Sequence, residues 1–266
     1  MMTLTDDSHA PFEEVNPSSV DDASTPSLWA DRLATHKGWQ LLELVLVFSP
    51  VILALIACRL VGITQPLAMM AVVWVGNLLM LLLIGVGIHL RGESWASIGL
   101  PAGSPTVGGA AWLIVKAMLV LIFAVAAFLF GSVVMANLVG IPQPADMTNY
   151  NFLQGNLSML VLSLAGVYIV SSFGEEVVYR GFLISRLSSL FGTERKGGVA
   201  MAVLVSSLVF GLAHYEWGAM GVGQTTCMGL ALALAFVWGR RNLWPLVLAH
   251  GCMDTLLLVQ MYAAPA

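Results

Sequence analysis

Residues 157–181 read LSMLVLSLAGVYIVSSFGEEVVYRG: eighteen residues without a charge, then the adjacent acids Glu175 and Glu176 and, four residues later, Arg180. An uncharged apolar run of that length reads as a membrane-crossing helix. Ionisable side chains at its end cost at least about 2.5–3.5 kcal/mol each to place in hydrocarbon, so they mark a functional site by default. Outward from this segment, further apolar runs of spanning length lie at 41–63, 67–90, 110–137, 198–215, 220–239 and 244–263. They are separated by Gln65-Pro66, the polar stretch Arg91–Pro105, Pro142–Asn156, Glu194–Gly198 and Arg240–Pro245. The fold class that follows is all-α: a polytopic transmembrane helical bundle of about seven spans, with its catalytic site in the C-terminal helices. Composition agrees. Hydrophobic residues make up 58% of the 266 and charged ones 10%, against roughly 45–50% and 25% in soluble domains.

The formal charge of −4 says little about partners, because seven of the fifteen acids fall within the first 31 residues. Residues 1–38 have no apolar run and are rich in Asp, Ser, Thr and Pro, the composition of a disordered cytosolic tail. No basic n-region leads into a short apolar h-region, so no cleaved signal peptide is expected. Residues 39–154 then hold the N-terminal transmembrane helices and 155–263 a catalytic transmembrane domain. No basic stripe is present to bind nucleic acid. Cys58, Cys227 and Cys252 sit inside apolar runs, without metal-type spacing or an even count, and are expected to pack as small hydrophobes.

Basic residues set the orientation, since cytoplasmic loops carry excess Lys and Arg. Arg32 and Lys37 precede the first run, Arg91 follows the second, Arg186, Arg195 and Lys196 follow the fourth, and Arg240 and Arg241 follow the sixth. The intervening connections have none. The expectation is an integral protein of the plasma (inner) membrane with a cytoplasmic N-terminus and an external C-terminus. Glu175-Glu176 then falls at the cytoplasmic end of span four, and His250 about two turns into span seven. His214 counts to the outer end of span five, in conflict with a common site unless that helix bends, tilts or shifts near Gly211 and Gly218.

Helical spacing suggests a division of labour. Glu176 and Arg180 are four apart in the favourable order for a helical ion pair, so Glu176 is expected to hold Arg180. At 3.6 residues per turn Glu175 points about 100° away and is free to act as a base, a role that desolvation of a carboxylate favours. In FGLAHYEWG (210–218) Phe210 and His214 share a face; in LAHGCMDTL (248–256) His250 and Asp254 do, and an aspartate commonly fixes the tautomer of an adjacent imidazole.

The motifs E-E-x-x-x-R, F-x-x-x-H and H-x-x-x-D, in that order and some 35–40 residues apart, resemble those of the CPBP family of intramembrane endopeptidases. That family comprises CAAX proteases and bacteriocin-processing enzymes and is also called the Abi family. The resemblance covers about residues 155–262, and SWASIGLP, ending at Pro101, is similar to the loop ahead of the family's conserved domain. It implies proteolysis within or beside the membrane, as in the type II CAAX prenyl endopeptidase, which removes the last three residues of prenylated proteins. By this similarity Glu175 and His214 activate the attacking water, while His250 and Asp254 stabilise the oxyanion or bind a metal. Glu176, Arg180 and Phe210 give structural support. The partners implied are a hydrophobic or lipidated peptide and membrane lipid, with substrates of the CAAX, bacteriocin or sorting-signal kind.

Asp254 departs from the prenyl endopeptidase, which has Asn there. An ionised Asp cannot donate to an oxyanion, so it must be protonated, orient His250 or bind metal. Glu175, His214 and His250 would make a zinc set with an open position. The H-E-x-x-H pairing of zinc peptidases is absent, however, and the favoured reading is a glutamate-type mechanism without a cofactor. Two other function classes stand beside it: a catalytically idle scaffold or immunity-type protein, which needs none of these side chains, and a proton-coupled transporter, against which stand the lack of internal repeats and the confinement of all motifs to the C-terminal half.

Overall fold

The computed structural model describes residues 28–103, 106–141, 143–192 and 196–264. Most of the expected disordered tail, residues 1–27, lies outside these; its end, Leu28–Thr35, forms a short helix, α1. The membrane-spanning bundle follows as α2 (Lys37–Val61), α3 (Pro66–Leu90) and α4 (Val107–Asn137). Then come α5 (Leu157–Phe191), α6 (Lys196–Ala213), α7 (Gly218–Trp238) and α8 (Trp244–Ala263). Short 3₁₀ turns occupy Trp95–Ile98, Thr148–Leu153 and Tyr215–Trp217. Local chemistry sets the helix starts. Pro66 takes the first helical position of α3, where a missing N–H costs nothing. The Thr106 hydroxyl accepts from Gly109 N at 3.2 Å and the Asn156 side chain from Met159 N at 3.2 Å, each satisfying an orphan donor at a helix N-terminus.

Among the described residues, six helices are long and apolar enough to cross a membrane. The remaining expected span, span five at 198–215, is the shorter α6, which stops at Ala213 because the chain turns at His214 into the Tyr215–Trp217 segment. Leu41, Val45, Leu53, Leu60, Leu119, Phe130 and Leu162 are exposed, as lipid-facing side chains of a bundle must be. Inside, Val177, Val178, Phe182, Phe210, Leu232, Phe236 and Leu243 are fully buried around α5. α4 packs against α7 and α8, α6 against α7, and α2 against α3. Of the cysteines, Cys58 is buried as expected, Cys227 is half-buried and Cys252 is exposed.

α5 governs the geometry. It runs 35 residues, about 50 Å at ~1.5 Å per residue, well beyond a ~30 Å hydrocarbon core. Its central 17 residues, Val167–Leu183, are wound as π-helix, a rare i→i+5 form that recurs at functional sites. Glu175 therefore sits midway along α5, not at its cytoplasmic end as the apolar run implied.

The Ser94–Pro101 loop wedges against this helix. Ile98 is fully buried, and Gly99 (φ 99°) accepts from Leu243 N at 2.9 Å through its carbonyl. A Cβ on Gly181 would meet Ile98 O at 2.7 Å, and one on Gly99 would meet Arg241 O at 2.6 Å, so two glycines let backbones touch here. α8 thus begins beside Gly181, ten residues before α5 ends. From that level, His250 and Glu176 lie at similar depth, each about 8–10 Å along its helix at ~1.5 Å per residue.

Candidate active site

Three helices deliver their polar side chains to one place. Glu176, on the π-wound turn of α5, is fully buried and uses one oxygen twice: Oε1 accepts from Arg180 Nη1 at 3.0 Å and from His250 Nδ1 at 2.8 Å. The expected Glu176–Arg180 pair is present, and Glu176 also fixes His250. An oxygen already accepting from a guanidinium is a carboxylate acceptor, so the proton in the second bond belongs to His250 Nδ1. This leaves His250 Nε2 facing Glu175 Oε2 at 4.0 Å and Asp254 Oδ1 at 3.7 Å.

The expectation that Asp254 sets the His250 tautomer is not what the geometry gives, since 3.7 Å exceeds hydrogen-bond range. Asp254 Oδ2 instead accepts from the hydroxyls of Ser171 and Ser172, both at 3.0 Å. These two serines were not singled out by sequence reasoning. Their position one α-turn before Glu175 on the same helix was the available signal.

Glu175 keeps a different company from Glu176. Both acids leave Oε2 buried without a hydrogen bond, but Glu175, unlike Glu176, makes none to a described residue through its other oxygen either. The expectation that the two glutamates point some 100° apart assumed α-helical winding. The wider π turn narrows the angular step between neighbours, and both carboxylates face His250, one at each ring nitrogen.

His214 joins through an aromatic ring. The Phe210 ring is fully buried and lies 4.1 Å from Arg180 Cζ, 4.8 Å from the His214 ring and 6.1 Å from the His250 ring, centroid to centroid for the imidazoles. Tyr179 meets it edge-on at 5.2 Å. A guanidinium over an aromatic face is a cation–π contact worth more when desolvated. The Nδ1–H of His214 is placed to donate to Phe210 O at 2.9 Å, which leaves Nε2 with its lone pair. The depth conflict at His214 resolves without a bend in α6: α5 extends well past the level at which α8 begins, so the end of α6 reaches the middle of α5.

The structure thus brings Glu175, Glu176, Arg180, His250 and Asp254 together directly and links His214 to them through Phe210. Among the described residues, no three His, Cys, Asp or Glu side chains are grouped to hold a metal ion. Both histidines commit Nδ1 to the protein and keep Nε2 for another partner, and Glu175 Oε2 stands 4.0 Å from His250 Nε2. Glu175, His214 and His250 are not gathered into such a group, His214 reaching the other residues through the Phe210 ring, and no step below passes through a metal.

A second charged group lies elsewhere. Glu43 of α2 is ion-paired with Arg91, and Arg186 of α5 holds Glu93 through two bonds of 3.1 and 3.0 Å and reaches Glu43 at 3.4 Å. Glu43 is buried.

Residues 156–256, which contain all three motifs, match the family model described as Type II CAAX prenyl endopeptidase Rce1-like. No curated protein and no solved structure matches the chain.

Proposed function

We infer, from the match of residues 156–256 to the Rce1-like type II CAAX prenyl endopeptidase model, that Glu175 and His214 activate water to hydrolyse a peptide bond of a lipidated or membrane-associated substrate. The observation that carries this reading is the contrast between adjacent acids. Glu176 spends Oε1 on both Arg180 and His250 and leaves Oε2 buried without a partner, while Glu175 hydrogen-bonds to no described residue through either oxygen and turns Oε2 toward the His250 ring.

The chemistry then runs through the chain's own groups. Glu175 and the lone pair of His214 Nε2 accept hydrogen bonds from the water and take its proton as it attacks the carbonyl carbon. A protonated His250, held through Nδ1 by Glu176, donates from Nε2 to the oxygen on which negative charge develops. Asp254, bound by two serine hydroxyls, faces the same nitrogen and balances its charge. The proton taken from water is returned to the leaving amine. Burial of the cluster limits water to what the reaction needs.

A trapping experiment tests the assignment. Glu175→Gln, expressed in the native host, should leave uncut membrane proteins that the wild type processes, with expression and detergent stability near wild type. In parallel, wild-type enzyme should carry substoichiometric zinc and remain active after thorough chelation. Activity lost on chelation and returned only by zinc would replace the glutamate mechanism with a metalloprotease one.

A further inference from the structure

The loop between α4 and α5 covers one side of the cluster. Its Thr148–Leu153 turn is tied down at both ends: Asp146 N donates to Trp217 O at 3.0 Å, and Gly155 N to Tyr262 O at 3.0 Å. Tyr150 packs edge-on to Trp217 at 6.5 Å, and Trp217 packs edge-on to His214 at 4.8 Å. The loop thus reaches one of the two water-activating side chains through two stacked rings. Burial pushes the Tyr150 phenol up, and the Asp254 and Glu175 carboxylates push it the same way, so it stays a neutral donor.

The other face of Tyr150 lines a cavity of about 260 Å³ with Met147, Thr148, Asn151, Gln154 and Met261. Thr148 and Asn151 are exposed at its mouth. The wall is mostly apolar, from Met147, Met261, Ala264 and the Tyr150 ring, with a hydroxyl, two amides and a phenol set into it and no formal charge. Such a lining suits a short peptide segment with small uncharged or apolar side chains and offers no partner to a charged one. The volume falls just under the range of about 300–1,000 Å³ for drug-sized ligand pockets, so the occupant is short. Met261 lies seven residues past Asp254 on α8, about 10 Å at ~1.5 Å per residue. An extended peptide covers that distance in about three residues at ~3.3 Å each.

We propose that this cavity is the subsite for the uncharged peptide stretch next to the scissile bond, and that Tyr150, shared between its wall and the Trp217–His214 stack, is a positioning residue that couples its occupancy to the catalytic imidazole. The proposal rests on the protease reading above.

The test uses the full-length protein in nanodiscs and a quenched-fluorescent farnesylated peptide ending in a CAAX box. Asn151→Trp, at the cavity mouth, should raise KM about tenfold while kcat stays within about twofold, the signature of lost uniform binding. Tyr150→Leu should raise KM and lower kcat together, and Tyr150→Phe, which keeps the ring, should restore most of kcat. An unchanged KM for Asn151→Trp, or a Tyr150→Phe variant as impaired as Tyr150→Leu, overturns the proposal. Glu175→Gln separates the two levels: if it still cleaves, the protease assignment of the cluster fails, whereas a dead Glu175→Gln beside an unaffected Asn151→Trp removes the subsite alone.

Discussion

Two buried groups of acids and arginines occupy this bundle, and they differ in their charge balance. In the first, Glu43 and Glu93 face Arg91 and Arg186, two acids against two guanidiniums, with each acid bonded to an arginine. In the second, Glu175, Glu176 and Asp254 surround His250 with one guanidinium, Arg180, among them. The first group is complete in itself and joins α2, the Arg91–Glu93 turn and α5. The second has a surplus of carboxylate that only imidazoles and a reacting molecule can meet. A buried ion pair is weak evidence of function; an acid without a bonded partner beside the His250 ring is stronger, because it leaves lone pairs and protons available.

The largest effects should come from breaking each group at its arginine. Removing one partner of a buried pair costs roughly 3–5 kcal/mol, so Arg180→Ala and Arg186→Ala should both lower the unfolding temperature in detergent. They should part company in kinetics. Folded Arg186→Ala enzyme should keep kcat near wild type, whereas Arg180→Ala frees Glu176 from its partner, loosens His250 and should lose activity as well. Equal loss of kcat in both would erase the distinction between the groups.

A smaller effect is expected at Asp254. Its Oδ2 only accepts, from Ser171 and Ser172, and an asparagine oxygen can do the same. Asp254→Asn should therefore retain measurable turnover and lose one ionisation from its pH–rate profile, while Asp254→Ala should be inactive. A dead and metal-depleted Asp254→Asn protein would instead assign the carboxylate to a metal.

The smallest perturbation tests where the groups lie. Reporter fusions at residues 195 and 148 should read cytoplasmic and external respectively, which puts the arginine-balanced group at the inner face and the Tyr150 cavity on the outer side. Both reporters reversed would invert the side from which substrate enters.

How much of this was legible in the sequence follows the range of the interactions. Apolar runs gave the membrane bundle, and four-residue spacings gave Glu176–Arg180 and the pairing of Phe210 with His214, because such contacts are made within one helix. Glu176–His250 spans 74 positions and Arg186–Glu93 spans 93, and no periodicity encodes them. Winding was equally hidden: VYIVSSFGEEVVYRGFL carries nothing that marks it for π-helix, yet that winding turns both glutamates toward one imidazole. The misjudged depth of Glu175 has the same origin. Hydropathy ends span four where the charges begin, but buried, paired charges let the helix continue.

The wedge of Ile98 and Gly99 between Gly181 and Leu243 bears on how such a protein can be recombined. The stretch that matches the family starts at residue 156, yet the amide of Leu243 finds its acceptor on Gly99, and the notch at Gly181 is filled by Ile98. A fragment cut at the family boundary would carry every motif and still lack the loop that sets where its last helix begins. Chimaeras that exchange catalytic halves should therefore be joined upstream of Ser94, with the loop and its receiving glycines moved as a matched set.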